Sequence, residues 1–334
     1  MTSRVGLGVL LVAALAACPA PKGGGGGGGG GAGGGVRINP NQCGKIDGTT
    51  VGRKLYAFLL ASAELDRSTF ELETTVKEAC RTMARELGVS DAGDTRTVCM
   101  RAKQELDANL QISIKHETRL VTKTTPPVCK TDVNFTANFA AECEARATAD
   151  VNVECQGTCG GMCNGACDGT CSSGTSAQCA GQCKGTCRGK CSGECQGYAN
   201  VDASAECKAS AEIRATTRTT CTPAKTEIVQ QDVTVVDATK WNKAMAAING
   251  GLPQLLTAAK KLELVGKAVV LWVQTGAQLA KESGKFASQL GANGICVAGQ
   301  LVAVAAASAN IQARINVSIQ VSASVSASAG ANAQ

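Results

Sequence analysis

Cysteine is the residue type with the clearest chemical potential in this chain, because ten cysteines occur at regular spacing within residues 155–195. They belong to a four-residue repeat, Cys-x-Gly-x, that stands on both sides of a short gap at residues 172–178. The cysteine positions are 155, 159, 163, 167 and 171 before the gap, and 179, 183, 187, 191 and 195 after it. Thiols at this density either pair as disulfides or bind metal ions as thiolates.

The cysteines are arranged as a mirror image about Thr175, and the gap around Thr175 consists of turn-forming small and polar residues. The reflection continues outward, so that seven cysteine pairs share one symmetry. This arrangement predicts an antiparallel hairpin stapled by disulfides. The predicted bridges are Cys155 with Cys195, Cys159 with Cys191, Cys163 with Cys187, Cys167 with Cys183, Cys171 with Cys179, Cys143 with Cys207, and Cys129 with Cys221.

Strand geometry favours bridges across the hairpin. Cysteines four residues apart on one strand are separated by about 13 Å, which is too far for a disulfide. Residues directly opposite each other at non-hydrogen-bonded positions have Cα atoms about 4.5 Å apart, which is close to the separation that a disulfide needs. We therefore expect bonded cysteines to lie directly opposite each other. The glycine two positions after each cysteine is expected to leave room for sulfur.

The alternative chemistry is a metal–thiolate cluster, since ten thiols in this short segment resemble metallothionein. The repeat contains no Cys-x-Cys or Cys-x-x-Cys spacing and no nearby histidine, and metal binding does not require mirror symmetry. The disulfide ladder is therefore preferred, and no metal site and no cofactor are predicted.

The first residues predict export, which also favours disulfides. Arg4 is followed by the apolar run 5–15, and Leu-Ala-Ala-Cys at residues 15–18 has the pattern of a bacterial lipobox. This segment resembles a lipoprotein signal peptide, which implies cleavage before Cys18 and lipidation of its sulfur. An ordinary secretory signal is the alternative. Pro19, in the place of an aspartate, makes the outer membrane the expected location, with either its periplasmic or its surface face possible.

Eighteen cysteines remain when Cys18 is set aside, and four of them lie outside the mirror. Cys80 and Cys99 would meet if the two helices that carry them form an antiparallel pair. Cys43 and Cys296 are then left over, and their bridge follows only by elimination.

Apolar periodicity predicts the elements that position these cysteines. Helical spacing occurs in residues 53–87, 94–108, 241–290 and 295–309, with Gly88 as the C-cap of the first helix. Alternating patterns predict strands at 110–120, 129–155, 197–221, 226–236 and 311–329. The predicted fold is α+β, a long antiparallel β-meander with helices on one face and a projecting disulfide-laddered hairpin. A straight hairpin of this length would extend roughly 50 Å.

Catalytic and nucleic-acid-binding signatures are missing from the sequence. His116 is the single histidine, it falls on the apolar side of a predicted strand, and the Gly-rich run at 23–31 does not follow a strand as a phosphate loop would. The formal charge of +6 is spread along the chain, and only nine residues are aromatic, so a nucleic-acid partner is not expected. No catalytic residue is predicted, and we expect a protein that is not an enzyme.

The predicted organisation is a signal peptide and lipidated cysteine (1–18), a glycine-rich tether (19–36), helices and first strands (37–154), the Cys-Gly hairpin tip (155–195), and returning strands, helices and a last strand (196–329). The signal segment and the repeat resemble uncharacterised cysteine-rich lipoproteins of myxobacteria and their relatives, and this resemblance implies no known activity. We expect a lipid-anchored envelope protein whose hairpin has a structural, adhesive or partner-contact role. The partner would be a protein, a surface polymer or a second copy. The alternatives are an oligomeric outer-membrane pore or secretion-channel component, or a metal–thiolate protein.

Overall fold

The computed structural model describes residues 38–113, 121–229 and 234–330. The predicted signal peptide, Cys18, the glycine-rich tether and His116 lie outside the described residues. The same holds for residues 114–120 of the predicted strand 110–120.

The first two helices confirm the periodicity seen in the sequence. Helix α1 spans Thr50–Leu87, and Gly88 ends it in the left-handed conformation with φ of 79°. Helix α2 spans Thr95–Ser113, and a disulfide joins Cys80 of α1 to Cys99 of α2. The prediction of a strand from residue 110 is wrong up to Ser113, because α2 continues and buries Asn109 and Ser113 on its helical face.

Two long helices complete the main core. Helix α5 spans Ala238–Leu290, and helix α6 spans Ala292–Ser328. Trp272 of α5 is fully buried, and its indole Nε1 donates a hydrogen bond of 2.7 Å to Ser62 Oγ of α1. The predicted strand at 311–329 is wrong, since these residues lie almost entirely in α6. The helix buries Ile311, Ile315 and Val325 at helical spacing, so its contacts with α1 and α5 prevail over the local alternation.

The two longest predicted strands are also wrong over most of their length. Residues 129–155 contain a short strand, β2 (Cys129–Asp132), followed by helix α3 (Val133–Glu144). Residues 197–221 contain helix α4 (Ala205–Thr217) and the two-residue strand β7 (Thr220–Cys221). Both helices are rich in alanine, which favours helix more than any other residue. The disulfide between Cys143 and Cys207 is present, but it joins two helices instead of two strands.

Outside these helices the mirror about Thr175 sets the pairing of strands. Strand β1 (Val121–Thr125) is antiparallel to β8 (Lys225–Val229), with Thr122 opposite Ile228. Cys129 lies opposite Cys221 and is bonded to it. The β1–β8 pair forms its own two-stranded sheet, separate from the six-stranded sheet that contains the Cys-Gly repeat. The outer strands therefore pair with each other, but they do not join the strands of the repeat in one continuous sheet.

The Cys-Gly repeat forms the remaining four strands. They are β3 (Val153–Cys159), β4 (Met162–Cys171), β5 (Cys179–Cys191) and β6 (Glu194–Val201). The fold class is thus confirmed as α+β with a disulfide-laddered hairpin. Helices α3 and α4 occupy the middle of the two long amphipathic strands that the sequence predicts.

Candidate functional site

The hairpin of residues 153–201 is coiled so that its first strand meets its second strand along both edges. Asn164 lies opposite Lys190 across one edge and opposite Ala180 across the other. Glu154 likewise lies opposite both Asn200 and Lys190. In each case the two partners are ten residues apart on the returning strand. We call residues 153–201 the closed hairpin, because this double pairing turns the ribbon into a tube.

The strands of the closed hairpin are antiparallel throughout. Residue numbers rise along β4 while those of its partners fall along β5, as in the pairs Cys163 with Cys191 and Cys167 with Cys187. A shift of ten residues between the two edges means that each strand makes one turn in about ten residues. Each turn stacks two strands about 4.8 Å apart, so the tube rises roughly 10 Å per turn.

This coiling shortens the hairpin and protects its edges. The residues from Val153 to Cys171 rise roughly 20 Å along the tube axis, instead of extending roughly 50 Å as a straight ribbon would. Closure also pairs backbone groups that an isolated two-stranded ribbon would expose along both edges, which is how barrels avoid edge-to-edge aggregation. The predicted hairpin is therefore confirmed, and it is coiled, so the length of a straight ribbon does not apply to it.

Disulfides fill the interior of the tube. The five bridges within residues 155–195 have the predicted pairing, with Cα–Cα distances of 5.6–5.8 Å. Nine of these ten cysteines are buried, and Cys171 at the tip is half-buried. Because every sulfur is bonded to another sulfur, this form offers no thiolate for a metal ion. The described ranges also contain no group of three histidine, cysteine or acidic side chains arranged to hold one.

Within the tube, unlike at Cys129 and Cys221, bonded cysteines are not directly opposite each other on neighbouring strands, which corrects the register predicted for the repeat. Cys159 lies opposite Cys195 in the strand pairing, yet it is bonded to Cys191. Cys163 lies opposite Cys191 and is bonded to Cys187. The bridges span the interior of the coil because coiling brings each strand over the other on both sides.

The glycines of the repeat allow the backbones of neighbouring strands to approach each other closely. This corrects the expectation that they leave room for sulfur. Glycines of the two strands face each other, as in the pairs Gly165 with Gly189 and Gly169 with Gly185. A Cβ atom built on Gly185 would lie 1.9 Å from the carbonyl oxygen of Asp168 and 3.0 Å from the Cα of Gly169. The neighbouring strand therefore excludes any side chain at this position.

Short polar and charged side chains cover the outside of the tube. The charged ones are equal in number and opposite in sign: Glu154, Asp168 and Glu194 against Lys184, Arg188 and Lys190. Arg188 and Asp168 form an ion pair across the strands at 2.5 Å. Met162 is the exception, since its apolar side chain is 59% exposed. The exterior is thus a neutral, hydrophilic surface on a rigid support.

A buried polar cluster fastens the closed hairpin to α4. Glu212 of α4 is only 1% exposed, and it accepts hydrogen bonds from the Tyr198 hydroxyl and, at 3.4 Å, from the Val201 amide. Lys208 Nζ is 4.0 Å from the same carboxylate. Burial raises the pKa of Glu212 above its ordinary value, and burial together with the charge of Glu212 raises the pKa of Tyr198.

The raised pKa of Glu212 predicts a specific pH dependence of stability. A carboxyl whose pKa is higher in the folded state contributes most stability below its unfolded pKa, and that contribution is lost as the pH rises through the folded pKa. Glu212→Gln removes this titration, so we expect the variant to gain stability relative to the wild type as the pH rises from 4 to 8. Urea unfolding midpoints across this range measure the difference.

Glu263→Gln is the matched control, because its effect on stability should change with pH in the opposite direction. Glu263 accepts a hydrogen bond from Lys260, which lowers the pKa of the Glu263 carboxyl. Relative to the wild type, this variant should lose stability over the same pH range. A Glu212→Gln difference that is flat with pH would show that Glu212 does not titrate in the folded state as described.

A second set of contacts connects α4 to α3 and α1. Arg214 Nε donates a hydrogen bond of 2.9 Å to Glu64, and the Arg214 guanidinium lies 4.2 Å from the centre of the Phe139 ring. Arg218 packs over Phe135 at 4.6 Å and also pairs with Glu64. These contacts fix the helix that holds the base of the closed hairpin.

A cavity of about 300 Å³ lies beside this base, between the closed hairpin and α5. Its lining includes Tyr198, Lys260 and Lys267. Both lysines pair with Glu263, at 2.8 and 3.6 Å, so one carboxylate faces two ammonium groups and the lining keeps a net positive charge.

No sequence pattern predicts the second edge along which the strands of the closed hairpin pair, the Tyr198–Glu212 cluster or this cavity. The cysteine and glycine positions were the one available signal for the closed hairpin. No family model, curated protein or solved structure matches this chain.

Proposed function

We propose that the chain is a non-enzymatic lipoprotein of the cell envelope, anchored through Cys18, whose closed hairpin is a rigid contact element. The location proposed is the outer membrane. The partner proposed is a protein, a surface polymer or a second copy of the chain.

The observation that carries this proposal is a hairpin with both strand edges paired and its sulfurs buried inside. Strand β4 packs mainly on β5, and β5 packs on β4 and β3, whereas β3 and β6 contact the helices. The main core has its own bridges, Cys80 with Cys99 and Cys43 with Cys296, whereas the five bridges of the hairpin join residues of the hairpin only. Disulfides normally supply order where no apolar core exists. A device that keeps a small, hydrophilic projection rigid is suited to surface contact.

Site-specific cross-linking in the producing cells tests the proposal. A photo-reactive amino acid would replace Asn164 or Lys190, which are exposed on the closed hairpin, and Glu86 of α1 would be the exposed control position. We expect covalent adducts from the two hairpin positions and none from the control, because the hairpin makes the contact. Mass spectrometry of the adducts would identify the partner, and an adduct of twice the chain mass would identify a second copy.

Deletion of residues 159–191 gives an independent check. It removes four disulfides as complete pairs and keeps Cys155 bonded to Cys195. Adducts that come only from Glu86, and that persist unchanged in the deletion variant, would contradict a contact role for the hairpin.

A further inference from the structure

Helix α6 carries an exposed apolar ridge that the proposed contact element does not use. Ile295 and Val302 are the most exposed large apolar side chains among the described residues, at 71% and 68%. They are seven residues apart, which places them on the same side of the helix two turns apart. We call the exposed positions on this side the outer face of α6: residues 295, 299, 302, 306 and 309.

This part of the chain is almost without charge. Helix α6 contains one charged residue, Arg314, and no acidic residue occurs between Glu282 and Gly330. Within the described ranges α6 is also the one helix long and apolar enough to cross a membrane, and 39% of its most apolar 18-residue stretch is buried in the protein. An uncharged, apolar helix face favours contact with lipid over contact with water.

The buried side of α6 shows whether the helix could cross a membrane or could only lie on its surface. Val297, Leu301 and Val304 are buried in the same core as α1 and α5. Withdrawing them into a bilayer would dismantle that core, so α6 can offer lipid only its outer face. An orientation parallel to the membrane surface, with Ile295 and Val302 pointing into it, satisfies both sides.

The described chain begins beside the same turns of α6. The Asn39 amide donates a hydrogen bond of 2.7 Å to Gln300, and a disulfide joins Cys43 to Cys296. Nineteen residues lie between Cys18 and Ile38, and this segment spans at most about 70 Å even when fully extended. A lipid on Cys18 would therefore hold this end of α6 within reach of the membrane.

We propose that the outer face of α6 rests on the lipid bilayer as a second membrane contact, next to the anchor. This inference rests on the proposed anchoring through Cys18. Once Cys18 is anchored, binding of α6 to the same membrane is an intramolecular event at high effective concentration. A weak contact, made by two apolar side chains and a neutral face, is then enough to keep α6 on the membrane. Such a contact would fix the orientation of the body on the membrane.

Quenching of tryptophan fluorescence by brominated phosphatidylcholine tests this contact. The native Trp241 and Trp272 are buried, so they contribute a background that lipid does not reach. The mature lipidated protein carrying V302W would be reconstituted in these vesicles, with M162W on the closed hairpin as the exposed control. We expect the added emission of V302W to fall at least twofold relative to M162W, while circular dichroism shows unchanged helix content for both.

The controls separate failure of this inference from failure of the anchor. The anchor is supported if the wild type floats with vesicles and Cys18→Ala does not. If, in that case, the fluorescence of V302W is quenched no more than that of M162W, the α6 contact is overturned. If the protein sediments as a dimer and the tryptophan of V302W is buried but not quenched by the brominated lipid, the outer face of α6 contacts a second copy of the chain and the membrane contact is overturned. If Cys18→Ala floats as well as the wild type, the anchor fails. Loss of that flotation on I295E/V302E would then still support the α6 contact, and its persistence would overturn it.

Discussion

Replacing Gly185 by alanine is expected to open the closed hairpin. The added Cβ would lie 1.9 Å from the Asp168 carbonyl oxygen, and the backbone at Gly185 has a φ of 153°, which side chains rarely allow. Moving the neighbouring strand away breaks hydrogen bonds on that edge of the tube. The combined strain and overpacking should cost roughly 2–4 kcal/mol. Backbone amides of β4 and β5 should exchange with deuterium roughly a hundredfold faster, as measured by mass spectrometry.

Gly284→Ala is the matched control for the same chemical change. Gly284 lies exposed in α5, and a Cβ at that position has no neighbouring atom within 4 Å. Alanine in a helix is favoured over glycine by about 0.5–1 kcal/mol, so this variant should be slightly stabilised. Unchanged exchange in Gly185→Ala would contradict the paired glycines and, with them, closure of the hairpin.

The repeat explains why the sequence predicted the disulfides but not the strand register. Cysteine and glycine both recur every four residues, so shifting one strand by four again places cysteine opposite cysteine and glycine opposite glycine. Gly165, for example, could face Gly185 or Gly189, and the structure selects Gly189. The choice depends on how far the ribbon coils, which is a property of backbone geometry and interior volume that a one-dimensional pattern does not contain.

Alanine contributes to the alternating pattern that predicts strands where α3 and α4 are helices. Alanine fills four of the seven odd-numbered positions in residues 205–217 and two of the six in residues 133–144, so counting it as apolar contributes to both alternating patterns, whereas alanine also has the highest helix propensity. The mirror could not resolve this, because Cys143 and Cys207 are 5.7 Å apart at Cα, a separation that helix pairs and strand pairs both allow. Helices α1 and α5 were predictable because large side chains such as Leu65 and Trp272 mark their buried faces.

The bridge between Cys43 and Cys296 should be the most stabilising disulfide for the body. It closes a loop of 253 residues in sequence, which the other bridges shorten to roughly 140. In the chain-entropy model, removing it by Cys43→Ala/Cys296→Ala costs about 5 kcal/mol. It also frees the first described residues from α6. For a body of this size we expect the melting temperature to fall by about 8 °C.

The bridge at the tip of the closed hairpin provides the comparison. Cys171 and Cys179 are separated by only eight residues, so Cys171→Ala/Cys179→Ala should cost about 2.5 kcal/mol and lower the melting temperature by about 4 °C. Calorimetry of both double variants, with the remaining bridges mapped by mass spectrometry, measures the difference. Equal losses would mean that local packing around each sulfur pair, and not the length of chain it closes, sets the contribution of a disulfide. Because the tip bridge closes so little chain, the order it adds is local to the hairpin, whereas the Cys43–Cys296 bridge ties the start of the body to the helix proposed to face the membrane.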